Sequence, residues 1–190
     1  MESILVISGT EKGREYFRDF ILACRYGSDV ALAADAASAL AFLGAREYGL
    51  CIVNAPLPDA SGIELALSAA KQGCCQSLLV VSEDLAEKVR TRVEPHGVFV
   101  ITKPVKRAVL WSSLKNIAVV HNRMTAMKEQ NEDLKQKLED VKLVNRAKSI
   151  LITNLKMSEP QAHRFIEKQA MERRVTRAEM ARRVINTYEE

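Results

Sequence analysis

Five unbroken apolar runs punctuate the first half of the chain, at Ser3–Ile7, Val30–Ala34, Leu50–Val53, Leu78–Val81 and Val98–Ile101. Short runs without alternation suit strands covered on both faces, as in a parallel sheet. Between them, Gly13–Arg25, Ala36–Leu43, Gly62–Gln72 and Leu85–Val93 repeat their apolar residues at helical spacing. Strand and helix signals that alternate in this way predict five βα units, wound as an α/β sheet with helices on both faces, over residues 1–115.

The pattern changes after Pro104, beyond which a long stretch holds neither Pro nor Gly. Ile117, Val120, Met124, Met127, Asn131, Leu134, Leu138 and Val141 fall at alternating a and d positions of a heptad, and all but Asn131 are apolar. One reading is a dimerising coiled coil over residues 116–141; the other is a single amphipathic helix packed on its own domain. A lone Asn at an a position pairs best with its own copy in a parallel dimer, which favours the coil. Beyond Val141 the apolar positions shift to Val144, Ala147 and Leu151, so the heptad ends there.

Residues 142–190 carry two helix starts of one type. Ser158-Glu159-Pro160-Gln161 and Thr176-Arg177-Ala178-Glu179 read as capping boxes, in which hydroxyl and return side chain satisfy each other's amides. Met157 and Val175 precede them and are placed to staple onto Ala162 and Met180. Three short helices follow: one arriving through Ala147, Ile150, Leu151 and Leu155, one over about 159–173 and one over about 177–188. Phe165, Ile166 and Ala170, then Met180, Ala181, Val184 and Ile185, form their apolar faces.

Charge divides along the same boundaries. Lys plus Arg against Asp plus Glu is 13 to 13 in residues 1–115, 4 to 5 in 116–141 and 11 to 6 in 142–190. The positive excess therefore lies in the last segment, where it would attract phosphates through counterion release. No run is long enough to span a bilayer, and the N-terminus lacks the basic and apolar regions of a signal peptide, so a cytoplasmic location without membrane contact is expected. Cys24, Cys51, Cys74 and Cys75 lack metal-site spacing and read as reduced, with Cys51 as core packing. His96, His121 and His163 are dispersed, so no metal or cofactor is implied.

The order Ala147-Lys148, Ile150-Leu151, Met157-Ser158-Glu159, Gln161-Ala162, Ala170-Met171 and Met180-Ala181 resembles the ANTAR module of bacterial transcription antiterminators. The resemblance implies RNA binding by residues 142–190. Ser149 stands where the family usually has Gly, and His163 where it has an aromatic residue. Arg146, Lys148, Lys168, Arg173 and Arg174 are the expected RNA contacts, with Lys156, Arg164, Arg182 and Arg183 as weaker candidates. His163 either packs by its edge on the helix surface or meets a base by stacking or hydrogen bonding.

A second resemblance rests on Asn54-Ala55-Pro56-Leu57-Pro58-Asp59-Ala60-Ser61-Gly62 and Thr102-Lys103-Pro104. These look like the receiver domain of two-component response regulators, which implies a flavodoxin-like (βα)5 order with the site at the strand ends. The chemistry is altered. Receivers need a carboxylate nucleophile after the third strand and acidic ligands for Mg²⁺ after the first. Here Asn54 takes the nucleophile position and Ser8-Gly9 the acidic pair, while Glu11 lies beyond the usual ligand position. Ser82 keeps the hydroxyl that senses the phosphoryl group, Lys103 is placed to pair with it, and Val100 replaces the switch aromatic.

A pseudo-receiver that the standard route does not phosphorylate is thus expected. Either Asn54 bonds Lys103 or a neighbouring amide and holds the pocket shut, or Lys103, Ser82 and backbone amides hold a small anion or metabolite. Together these readings imply a dimeric, non-enzymatic antiterminator that binds tandem stem-loops in a nascent leader transcript, controlled through a regulatory protein or a small ligand. The alternative is a signalling adaptor whose receiver and coil dock a partner protein.

Overall fold

The computed structural model describes residues 3–188. Strands β1 (Ser3–Ser8), β2 (Asp29–Ala33), β3 (Leu50–Asn54), β4 (Gln76–Ser82) and β5 (Val98–Lys103) alternate with helices α1 (Glu11–Ala23), α2 (Ala36–Ala45), α3 (Ile63–Ala70) and α4 (Glu83–Val93). All four strand pairs are parallel, in the order β2-β1-β3-β4-β5. This is the flavodoxin-like winding, with its topological switch between β1 and β3.

The unbroken apolar runs follow from burial on both faces. Leu5, Ile7, Cys51, Val53 and Leu79 point to the face covered by α2, α3 and α4. Ile4, Val6, Leu50, Ile52, Leu78 and Val80 point to the opposite face, against Phe17, Phe20 and Ile21 of α1. Capping starts the helices that frame the strand ends. Thr10 Oγ1 accepts from Gly13 N at 3.2 Å to open α1, and Asp35 accepts from Ser38 N at 2.8 Å to open α2.

After Pro104 the chain forms α5, one helix of 49 residues from Arg107 to Leu155. Its first turns complete the sheet's second face through Leu110, Leu114 and Ile117, each fully buried. Ile117 was expected to open the dimer seam; it belongs to the core of the first unit instead, because the start of the helix must cover the sheet face of Ile4, Leu50 and Leu78 before it can leave it. Further along, His121 Nδ1 lies 3.0 Å from the Cys74 carbonyl, and Gln76 Nε2 donates to Met124 Sδ at 3.2 Å. The first compact unit accordingly reaches Ala126, past the expected limit at residue 115, and the second spans 127–190.

Within the second unit, the end of α5, α6 (Glu159–Arg173) and α7 (Arg177–Tyr188) enclose a small core. Ala147, Leu151, Ala162, Ile166, Ala170, Ala181 and Val184 are buried there, with Met157 and Val175 packed against them. Both helix starts are capped as their sequences suggest. Gln161 Oε1 accepts from Ser158 N at 2.8 Å. At α7, Thr176 N donates to Glu179 Oε2 at 2.8 Å while Glu179 N donates to Thr176 Oγ1 at 3.1 Å. Among the described residues, no helix is long and apolar enough to cross a membrane, and the four cysteines are free.

Candidate functional sites

The carboxyl ends of β1, β3 and β5 bring Ser8, Gly9, Asn54 and Lys103 into one neighbourhood. Asn54 Nδ2 donates to Ser8 Oγ at 2.9 Å, and Asn54 Oδ1 is buried without a hydrogen-bond donor. Lys103 Nζ donates to the Ala55 carbonyl, and burial lowers its ammonium below the ordinary lysine value. Two expected pairings are therefore replaced. Asn54 bonds Ser8 rather than Lys103, and Lys103 turns to the backbone just after β3 rather than to the Ser82 hydroxyl. Ser82 is the exposed N-cap of α4 and its backbone pairs with Lys103 across the sheet.

Arg14, Gly13 and Asp59, not singled out in the sequence, also frame this site. The Arg14 guanidinium donates from Nη1 to the Ser8 carbonyl at 2.7 Å, which places a fixed cation beside the position of the usual metal ligands. A Cβ at Gly13 would collide with Ser8 Oγ and lie 2.8 Å from Thr10 Oγ1, so α1 approaches the site as closely as backbone can. A Cβ at Gly9 would lie 2.9 Å from Pro58 Cδ, leaving no room for an acidic side chain there without moving the loop after β3. Asp59 anchors that same loop, accepting from Ala36 N at 2.9 Å and Ala37 N at 3.0 Å at the start of α2. With no carboxylate at Ser8, Gly9 or Asn54 and a guanidinium at hand, these residues do not fit a Mg²⁺ ion. The Arg14 spacing and the Asp59 loop are visible in the sequence, but their targets lie in other segments.

The second unit carries the basic residues. Lys148 Nζ pairs with Glu159 at 2.8 Å, and its side chain is only 17% exposed. That ion pair draws the Glu159 carboxyl below the ordinary range. His163 is half-buried, with Nε2 3.3 Å from Glu167, which also accepts from Arg177 Nη1 at 3.1 Å. Lys168 lies 3.8 Å from Glu172 and is exposed. Arg146 is exposed on α5; Arg173 is exposed in the last turn of α6. Arg174 ends that helix at φ 53°, in the left-handed region usually left to glycine. Lys148 and His163 line one cavity together with Arg177, whereas Arg174 and Arg177 line a second. Arg177 lies in a capping box and so escaped notice as a candidate.

Over residues 127–141, α5 presents Met127, Leu134, Leu138 and Val141 at 61, 64, 55 and 56% exposure. Those values are high for apolar residues that recur on one helix face. Val120 and Met124 are also exposed, but both line a groove of the first unit. Charged pairs such as Lys137 with Asp133 at 2.7 Å occupy the flanks.

A parallel five-stranded sheet of this order, with a lysine at the end of β5 and a loop after β3 over the site, defines a receiver-fold domain in which the acidic residues have been replaced. Solved structures agree on the fold. The chemotaxis response regulator CheY4 of Vibrio cholerae matches 62% of the chain and 98% of its own, at TM-score 0.53 and 21% identity. A CheY-like receiver domain protein of Methanospirillum hungatei matches 65% and 98%, at TM-score 0.57 and 21% identity. Residues 132–185 match the ANTAR domain family. The transcriptional regulatory protein PdtaR of Mycobacterium tuberculosis is 27% identical over 158 residues, covering 82% of this chain and 76% of its own. The chain thus carries a receiver fold followed by a segment that matches the ANTAR domain family, and over most of its length it is similar to a transcriptional regulatory protein.

Proposed function

We propose that the protein is a homodimeric antitermination regulator whose C-terminal module binds tandem stem-loops in nascent leader RNA. The observation that carries this reading is the coincidence of the ANTAR match at 132–185 with the segment holding the chain's net positive charge. RNA sequence is read chiefly at unstacked loop bases while cations hold the backbone, and a small three-helix module offers both kinds of surface. Binding of this kind needs no covalent catalysis. The exposed face of α5 from Met127 to Val141 supplies the dimer seam, with Asn131 setting the register of a parallel pair.

The receiver domain then acts without acceptance of a phosphoryl group by the standard route. An amide at position 54 is a poor nucleophile, and Arg14 stands where a metal would otherwise gather charge. Control falls to a partner protein, a ligand or the amount of protein, in the cytoplasm where transcripts are made.

Ion pairing favours the competing adaptor reading, since Lys148 and Lys168 already face Glu159 and Glu172. A binding assay with tandem stem-loop RNA across a salt series separates the two. Replacing Arg173 and Arg174 together by Ala should weaken binding and flatten the slope of log affinity on log salt by roughly 0.7–0.9 for each lost phosphate contact, with fold and dimer intact. Equal binding to an unstructured RNA of the same length would favour the adaptor.

A further inference from the structure

Resting on the RNA-binding reading, we propose that the cavity between α5 and the α6–α7 pair receives one unstacked base of the RNA loop. The cavity holds about 460 Å³, within the range of small-molecule sites. Val144 and Ala178 give it apolar walls, His163 supplies a ring, and Asn145 supplies an amide with both donor and acceptor. Lys137, Lys148 and Arg177 line it as well, beside the Asp140 carboxylate; Lys148 and Arg177 are held by Glu159 and Glu167, partners that the phosphates flanking an inserted nucleotide would replace.

Two further features favour a base over a second copy of the chain. Continued past Val141, which itself lines the cavity, the heptad places Asn145 and Lys148 at the next a and d positions, so the seam turns polar along the cavity wall. Glu167 touches both His163 and Arg177, at 3.3 and 3.1 Å, and so holds ring and guanidinium in one arrangement before any ligand arrives. A preset ring costs little ordering on binding, and stacking on it tolerates any base face. Glu167 is in this sense a positioning residue. His163, where the ANTAR resemblance leads one to expect another aromatic, becomes the stacking platform.

The test uses the full-length protein and tandem hairpin RNAs selected by binding from a pool with randomised loops. Each loop nucleotide is then made abasic in turn. One loop position should cost the wild type about tenfold in affinity when its base is removed. His163→Ala should lose a similar factor on the intact RNA and almost nothing more on that abasic RNA. Its salt slope should stay at the wild-type value, because a lost stack releases no counterions. Asn145→Ala, at an exposed helix position, should show the same coupling even if His163→Ala perturbs the fold. Losses that multiply independently at every loop position would overturn the proposal. So would a change in dimer mass in either variant, which would make the cavity an interface between copies. If the wild type selects hairpins but shows no such coupling, the base pocket alone falls; if it selects none, the RNA-binding reading falls with it.

Discussion

Arg174 shows how one residue sets backbone conformation against charge. Its N–H bonds the Met171 carbonyl and the next amide returns to Ala170, the arrangement that ends a helix through a left-handed residue. A side chain in that region costs about 1 kcal/mol relative to glycine. Arg174→Gly should therefore raise the melting temperature of the ANTAR module while lowering affinity for stem-loop RNA, measured by calorimetry and by a binding titration. A rise in both would mean that the cation serves no RNA contact. Glu179 offers a second test, because its bonds to the Thr176 amide and hydroxyl hold its carboxyl below the ordinary glutamate range. A carboxyl depressed on folding contributes stability that is present above its unfolded value and lost as pH falls through the folded one. The module's melting temperature should thus drop as pH falls below about 4.5. Glu179→Gln, which keeps the capping geometry, should show a shallower drop.

Among the elements, α5 reconciles the two readings that its heptad left open. Its first turns pack on the receiver sheet, as a single amphipathic helix would, while Met127 to Val141 remain exposed as a seam would be. The parts predict different mutant behaviour. Ile117→Ala opens a cavity in a fully buried site and should destabilise the receiver by about 2–5 kcal/mol, visible in its denaturation midpoint. Leu134→Glu with Leu138→Glu should leave that midpoint in place and convert the proposed dimer to monomer, because like charges would meet across the seam. Unchanged mass by light scattering would remove the coiled coil from the account.

For the whole molecule, the receiver site is altered by more than one exchanged nucleophile. Arg14, the Gly9–Pro58 contact and the Asp59 clamp on α2 come from four separate segments and occupy or frame the same place. Acetyl phosphate with Mg²⁺ should consequently label neither the wild type nor Asn54→Asp, as read by intact mass. Labelling of the single variant would show that the carboxylate alone had been missing.

The strands, the helix starts and the long helix were legible in the chain because each depends on neighbours a few residues away. Apolar runs, capping residues and the absence of Pro or Gly after Pro104 carry that information locally. The ANTAR module was legible for the same reason, its spacing being held within about fifty residues. What the receiver pocket contains was not legible. Asn54 could bond Lys103 or a neighbour by sequence alone, and the choice of Ser8, 46 residues away, follows from how β1 and β3 lie side by side. Ile117 likewise fits a heptad as well as a core. Periodicity records that a face is apolar, and only the packed sheet decides what covers it.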